Sequence, residues 1–184
     1  ESVWDLGMQA VIDFPADGAE PLMAPLHVVL CRGCGLAQLA HTVKRELLYR
    51  NYFYRSSTAE TQRLALKEVV ERALKQFWPW SKGGVLTMAA PTTTTVLDIG
   101  ANDGYLLQQY VESSFHKVAV EPAHNIEVKG ADQVVRRYFS YKAVKPYMHQ
   151  QAIIITSVAM FYDVSAPRRF CQDVARLLHP GGVW

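Results

Sequence analysis

The chain has 184 residues, of which 49% are hydrophobic and 20% are charged, with a formal net charge of +2. This length and composition predict a globular protein with a sizeable core, and neither the small net charge nor any apolar run gives reason to expect nucleic-acid or membrane partners. The odd count of 3 cysteines argues against a disulfide framework, so we expect a reducing, cytoplasmic setting.

Residues 1–50 are predicted to form a small β domain with the shape of a zinc knuckle. A short strand leads into a Cys-x-x-Cys-Gly turn, and a second strand returns antiparallel. In that turn Cys31 and Cys34 have the spacing of metal ligands, and we predict that both bind zinc. A structural zinc takes about four ligands, and His27 and His41 lie nearby at unusual spacings. The alternative interpretation is a pair of reduced cysteines in a tight turn.

Residues 51–95 are predicted to be an aromatic, helical link followed by a loop. Ser57 and Glu60 have the spacing of a capping box, which marks the start of a helix. The helix that follows carries apolar residues at helical spacing on one face. Residues 79–95 contain paired glycines and a run of threonines, so they are interpreted as a linker or surface loop.

Residues 96–184 alternate between apolar strands and amphipathic helices, which predicts a Rossmann-like, doubly wound and mostly parallel sheet. The strands are predicted at residues 96–99, 117–121, 133–136 and 152–156, with a last strand beginning at Val183. Helices are predicted at residues 105–111, near 124–129, after Ser140, and at 170–178 with Ser165 as N-cap. Because the fifth strand barely starts, we expect this domain to be a partial one from a longer chain.

The most informative segment is the turn after the first of these strands. Asp98 is followed by Gly100, Asn102 and Gly104, so a ligand can approach the main chain closely at a helix N-terminus. Glu121 ends the next strand, where a doubly wound sheet places an acid on a ribose. A dinucleotide-binding turn would carry a further glycine between the two present here. The acids instead suit S-adenosylmethionine, with Asp98 accepting from its ammonium and Glu121 from its ribose diol.

The residues alone leave three alternatives open. Asp98 could merely cap a turn, and Glu121 could be a solvated strand end. A nicotinamide-dependent oxidoreductase of the NAD type could use a similar sheet, although the missing middle glycine argues against it. The chain could also be a non-catalytic, zinc-containing binding module with a degenerate α/β domain behind it.

Several motifs occur in an order that resembles a known family. They are Cys-x-x-Cys-Gly, Tyr-x-Tyr-x-Ser, Val-Leu-Asp-Ile-Gly-x-Asn-Asp-Gly, Glu-Pro, Met-Phe-Tyr-Asp and Leu-His-Pro-Gly-Gly. Over nearly the whole chain they look like class I S-adenosylmethionine-dependent methyltransferases with an N-terminal zinc-binding domain, best known as C-methyltransferases of deoxysugar nucleotides. The resemblance implies S-adenosylmethionine and zinc as cofactors, and C-methylation of a nucleotide-linked keto-deoxysugar or a similar small molecule.

The resemblance also implies roles for individual residues. The loop under the methionine part of the cofactor would be shaped by Gly100, Asn102 and Gly104, with Asp98 beneath it and Glu121 on the ribose. Further cofactor contacts are expected from Tyr54, Tyr105 and Ser157, with Tyr52 and Ser56 covering the cofactor and residues 160–163 walling the site. Tyr54 and Tyr162 are the candidate catalytic residues, because they could bring polar groups near the chemistry.

The implied reaction needs groups that this chain does not supply. For carbon methylation, a general base must remove the proton next to a carbonyl, and a donor must stabilise the resulting enolate. We expect that base in the C-terminal region that the family has beyond this sequence. The family's second Cys-x-x-Cys pair is also absent here. The chain is therefore expected to be mainly the cofactor-binding half, incomplete at both ends.

Overall fold

A computed structural model describes residues 1–11, 18–77, 94–111 and 114–184. The chain divides into two compact units, Glu1–Phe53 and Tyr54–Trp184. Most of the loop predicted at residues 79–95 lies outside the described residues. Within the described part of the chain, no helix combines the length and the apolar character needed to cross a membrane.

The first unit is a three-stranded antiparallel sheet followed by a short helix. Its elements are β1 (Ser2–Ala10), β2 (Met23–Leu30), β3 (Ala37–Leu39) and α1 (Arg45–Tyr49), with strand order β1-β2-β3. The predicted strand, turn and antiparallel strand around the cysteines are confirmed, whereas β1 was not predicted. Among the residues described in this unit none is buried, so its sheet rests on backbone hydrogen bonds more than on an apolar core.

The second unit is built on a five-stranded sheet in which every neighbouring pair is parallel, as predicted. Its strands are β4 (Thr94–Ile99), β5 (Phe115–Val120), β6 (Gln133–Val135), β7 (Ala152–Thr156) and β8 (Leu178–Val183). The spatial order is β6-β5-β4-β7-β8, so the winding direction reverses at β4. In such sheets, ligands bind outside the carboxyl ends of the strands at that reversal.

Helices cover both faces of this sheet. They are α2 (Glu60–Phe77), α3 (Tyr105–Gln108), α4 (Tyr141–Val144) and α5 (Pro167–Leu177), with short 3-10 helices at Lys145–Tyr147 and Phe161–Asp163. Alternation along β4 divides the core, because Leu97 and Ile99 pack on the α5 side while Val96 packs with Leu66 and Val70 of α2. The apolar face predicted for α2 is therefore packed against the sheet.

Several predicted helix boundaries are wrong. The described residues 124–129 form no helix, and the guanidinium of Arg136 donates to the carbonyls of Ala123 and Ile126 in this loop. Ser140 does cap α4, by accepting from the N–H of Ala143, as expected. The N-cap of α5 is Ala166 rather than Ser165, and Leu178 already belongs to β8.

The capping box predicted at Ser57 and Glu60 does not form. Helix α2 begins at Glu60, and its first turn uses the carbonyl of Ala59. The N–H of Ser57 instead donates to the carboxylate of Asp103, 2.9 Å away. A partner distant in sequence has replaced the local cap.

Strand β8 pairs irregularly with β7. Leu178 lies opposite Ala152 and Val183 lies opposite Ile154, so more residues of β8 than of β7 separate the two pairs. The extra length falls on the Pro-Gly-Gly segment, which was predicted to precede the strand. A side chain at Gly182 would place Cβ 2.8 Å from the carbonyl oxygen of Ile153, so the strand passes here only because the residue is glycine.

Candidate functional site

The turn from β4 into α3 uses left-handed backbone at several positions. Gly100 has φ of 77°, Asn102 has φ of 51° and Gly104 has φ of 76°. A Cβ on Gly104 would lie 2.0 Å from the carbonyl oxygen of Lys129, so only glycine fits. Asparagine tolerates the left-handed region better than most residues, which explains Asn102. The turn is thus held at a fixed shape at the carboxyl end of the central strand.

Asp98 lies at that strand end, with a side chain that is only 3% exposed. The hydroxyl of Thr156, at the end of β7, donates to its Oδ1 over 2.7 Å. Burial raises the pKa of Asp98 to about 7, the Thr156 bond opposes the rise, and the nearby charge of Glu121 adds to it. The carboxyl therefore titrates near neutrality and can accept a proton or a cationic partner.

Glu121 directly follows β5 and is 5% exposed, so it is not a solvated strand end. Its Oε2 accepts from the N–H of Asn102 at 2.7 Å, and its Oε1 accepts from the N–H of Ala123 at 2.8 Å. Burial raises the pKa of Glu121, while these two N–H groups and the guanidinium groups of Arg136 and Arg55 oppose the rise. The carboxylate joins the glycine turn to the loop after β5.

Residues 54–57 lie against the same turn. The side chain of Asn102 accepts from the N–H of Ser56 at 3.0 Å and donates to the carbonyl of Tyr54 at 3.1 Å. The carboxylate of Asp103 accepts from the N–H of Ser57. Tyr54 and Ser56 therefore reach the turn through their main chains. Tyr52 belongs to the first unit, where its ring lies 5.4 Å from that of Phe53.

The segment after β7 forms the opposite border of the turn. The hydroxyl of Ser157 accepts from the indole N–H of Trp184 at 2.8 Å. Met160 packs on Gly100, since a Cβ there would lie 3.1 Å from the Met160 Cγ. Tyr162 follows in the 3-10 helix and is 76% exposed.

The structure brings some of the predicted site residues together and separates others. One turn and the strand ends beside it bring together Asp98, Gly100, Asn102, Gly104 and Glu121. Thr156 joins them through its hydrogen bond to Asp98. By contrast, the ring of Tyr105 packs against the core cluster on the α2 side. Tyr162 is solvent-exposed, so neither tyrosine contributes a buried polar group to the turn.

Two residues of the site region were not assigned a role from sequence. Asp103 fixes residue 57, and Arg136 fixes the loop after β5. The signal for Arg136 was its position directly after β6, because charged side chains at the carboxyl ends of parallel strands converge on one edge. For Asp103 the signal was its position in the glycine turn, between Asn102 and Gly104.

The Cys-x-x-Cys turn brings the thiols of Cys31 and Cys34 close together, but the described residues form no metal site around them. Backbone N–H groups of Cys34 and Gly33 lower the pKa of the Cys31 thiol. Gly35 has φ of 73°, and its N–H donates to the carbonyl of Cys31. In the part of the chain that is described, no group of three or more His, Cys, Asp or Glu residues could hold a metal. The residues present do not complete the tetrahedral set of a structural zinc.

In chemical terms, the turn offers two buried carboxyl groups at adjacent strand ends, those of Asp98 and Glu121. Carboxylates accept hydrogen bonds from hydroxyl pairs and from ammonium groups, and each oxygen can take more than one donor. Hence the backbone bonds of Glu121 leave acceptor capacity for a ligand. The chemistry fits a nucleoside that also carries a positive group.

Comparison with known proteins gives one sequence relative. No protein-family model matches the chain. Over 109 residues the chain is 27% identical to the C-methyltransferase NovU of Streptomyces niveus, a match that covers 59% of this chain and 23% of NovU. The chain thus spans a minor part of the length of this curated relative.

Solved structures with a similar arrangement include two methyltransferases. The plantazolicin methyltransferase BamL, solved with a triazolic desmethylPZN analogue and SAH, has 17% identity and a TM-score of 0.47, covering 65% of this chain and 44% of BamL. An S-adenosylmethionine-dependent methyltransferase from Geobacter sulfurreducens, solved with S-adenosyl-L-homocysteine, has 17% identity and a TM-score of 0.40, covering 77% and 54% of the two chains. Both TM-scores lie below 0.5, so these likenesses carry no functional weight.

Proposed function

We propose that this chain binds the cofactor of an S-adenosylmethionine-dependent methyltransferase that acts on a small molecule. The observation that carries the proposal is the pair of buried carboxyl groups, Asp98 and Glu121, on either side of the glycine turn. The strand order supports it, because the turn lies at the reversal of the winding. The sequence similarity to NovU supports the same chemistry.

The described residues fit the cofactor at both of its polar ends. Glu121 would accept from the ribose diol, and Asp98 would accept from the ammonium of the methionine part, directly or through water. Met160 and the main chain of Lys129 fill the places that a Cβ at Gly100 or Gly104 would take, so these glycines shape the turn rather than open it to a ligand. Residues 54–57, hydrogen-bonded to Asn102, would border the cofactor from the other side.

S-adenosylmethionine, when bound, supplies a methyl group on a sulfonium that is already activated toward a nucleophile. The task of this chain's residues is then to hold the cofactor in one orientation and to exclude water from it. In this proposal Met160, which packs on Gly100, and the rest of residues 157–163 would border the side from which the acceptor approaches.

For the acceptor we propose a nucleotide-linked keto-deoxysugar or a similar small molecule. This substrate class rests on the motif order of the chain and on its similarity to a C-methyltransferase. The glycine turn alone does not distinguish one class of methyl acceptor from another, because carbon, oxygen and nitrogen acceptors use the same cofactor. In the same proposal, Cys31 and Cys34 contribute two thiolates of a zinc site that needs further ligands from elsewhere.

The proposal is tested by isothermal titration of the chain with S-adenosylhomocysteine. We expect saturable binding, and we expect Glu121→Ala to weaken it by roughly 1.5–3 kcal/mol, the range for a charge-assisted hydrogen bond. The matched control is Glu127→Ala, because this carboxylate follows in the same loop but its side chain is 82% exposed. It should leave the affinity unchanged.

Three outcomes would count against the proposal. Equal affinities of the wild type and Glu121→Ala would reject the ribose contact. Binding of NADH but not S-adenosylhomocysteine would favour a nicotinamide-dependent oxidoreductase. Zinc-dependent capture of a macromolecule without any cofactor binding would favour a non-catalytic module.

A further inference from the structure

The loop after β5 is held by guanidinium groups rather than by regular secondary structure. Arg136 donates from Nη1 to the carbonyl of Ala123 and from Nη2 to the carbonyl of Ile126, both over 2.7 Å. Arg55 donates from Nη2 to the carbonyl of Asn125 over 2.9 Å. Three carbonyl groups of a short loop are thereby bound by cations from two separate parts of the chain.

Ala123 connects this clamp to the carboxylate. Its carbonyl accepts from Arg136, and its N–H donates to Oε1 of Glu121 at 2.8 Å. The N–H of Asn102 holds the other oxygen. Ala123 is fully buried, so its peptide has little room to rotate. A change in the position of Arg136 would therefore shift Ala123 and, through its N–H, the carboxylate of Glu121.

We propose that Arg136 is a positioning residue for cofactor binding, whose forked guanidinium cross-links residues 123 and 126 and so orients the Glu121 carboxylate toward the ribose. This inference rests on the function proposed above. Arg136 acts through Glu121 and the loop, and it does not itself touch the reacting atoms. A lysine cannot replace it, because a single ammonium lacks the planar fork that reaches two carbonyls at once.

The charge of Arg136 acts on the same carboxylate and gives a second readout. Arg136 and Arg55 lower the pKa of Glu121, whereas the buried Asp98 on β4 is a competing acid nearby. Without Arg136, Glu121 would become charged only at a higher pH. When the affinity is measured against pH, binding is weakened on the acid side as Glu121 takes up a proton. This acid limb should move to higher pH in Arg136→Ala and stay near that of the wild type in Arg136→Lys.

The experiment measures the dissociation constant of S-adenosylhomocysteine for the wild type, Arg136→Ala, Arg136→Lys and the control Arg137→Ala. Arg137 is its neighbour in the chain and is exposed as Arg136 is, but it is not the arginine that bonds to Ala123 and Ile126. We expect Arg136→Ala and Arg136→Lys to weaken binding about tenfold and Arg137→Ala to leave it unchanged. In the Glu121→Gln background, adding Arg136→Ala should weaken binding much less, because its effect passes through Glu121.

The outcomes separate this inference from the proposed function. If the wild type does not bind S-adenosylhomocysteine, the proposed function fails. If the wild type binds and both Arg136 variants bind equally well, the clamp has no role and the inference is overturned. Fully additive effects of Arg136→Ala and Glu121→Gln, with an unshifted acid limb, would overturn it as well. Should Arg136→Ala not fold, the roughly tenfold weaker binding expected of Arg136→Lys still decides, because unchanged affinity in that variant would overturn the inference.

Discussion

The hydroxyl of Thr156 donates to the carboxyl of Asp98 over 2.7 Å, and this bond joins the ends of the central strand β4 and its neighbour β7. Both side chains are buried. A carboxyl in such a place has one fixed donor, and it keeps its proton to a much higher pH than a carboxyl in water. Several properties of the protein depend on this pair and on the turn beside it.

The first prediction concerns stability against pH. The pKa of Asp98 is raised in the folded protein to about 7 from 3.8. The folded state therefore binds the proton more tightly, so this group's contribution is fully present below about pH 4 and is lost as the pH rises through 7. We expect Asp98→Asn to be more stable than the wild type at pH 8, by up to roughly 4 kcal/mol, with the gap closing toward pH 4. Urea unfolding across this range measures it, and a gap independent of pH would contradict it.

The second prediction concerns the crowded glycine of the turn. In Gly104→Ala, the left-handed φ costs about 1–2 kcal/mol, and the clash with the Lys129 carbonyl adds to it. We expect a loss of at least about 2 kcal/mol in the free energy of unfolding. Gly181→Ala is the control, because its Cβ would meet only His179 atoms at 3.6 Å or beyond. Similar losses in both variants would show that the turn is not crowded.

The third prediction separates the backbone of Asn102 from its side chain. Asn102→Gly keeps the left-handed conformation but removes the bonds to Ser56 and Tyr54. We expect a loss of about 1–3 kcal/mol and faster tryptic cleavage after Arg55. Asn102→Asp retains an acceptor for the N–H of Ser56, so its stability and its cleavage rate should lie between those of the wild type and Asn102→Gly. Unchanged cleavage in Asn102→Gly would mean that residues 54–57 are held by other contacts.

The fourth prediction is a gain in stability. The hydroxyl of Tyr110 is buried and finds no hydrogen-bond partner among the described residues. Its removal in Tyr110→Phe should raise the free energy of unfolding by about 1 kcal/mol, because an unsatisfied polar group leaves the core. Tyr162→Phe is the control, since Tyr162 is exposed and its stability should not change. A destabilised Tyr110→Phe would indicate that the hydroxyl is hydrogen-bonded in solution.

The parallel sheet could be predicted because its signal is local. Strands β4, β5 and β7 are short apolar runs that are buried on both faces, and helices separate them. Strand β8 was placed too late, because proline and glycine normally end a strand and here they bulge within one. Neighbouring residues alone do not carry that information.

The site was predictable where a motif stands in one segment, as at Gly100 and Gly104. The closeness of Asp98 and Glu121 also followed from the expectation that parallel strands end at one edge. What could not be predicted are bonds between distant segments, such as Arg136 to Ala123 or Asp103 to Ser57. These bonds replaced a local helix and a local cap, so nearby sequence pointed to the wrong partner.

The order of strands has a kinetic consequence. Strands β4, β5 and β6 are close in sequence, so we expect them to pair first at low loop-closure cost, whereas Asp98 and Thr156 are 58 residues apart. Strand β7 should therefore dock after β4, β5 and β6 have paired. Substitutions at Thr156 should then accelerate unfolding while hardly slowing folding. During synthesis on the ribosome, the contact between Asp98 and Thr156 would then be among the last parts of this unit to form.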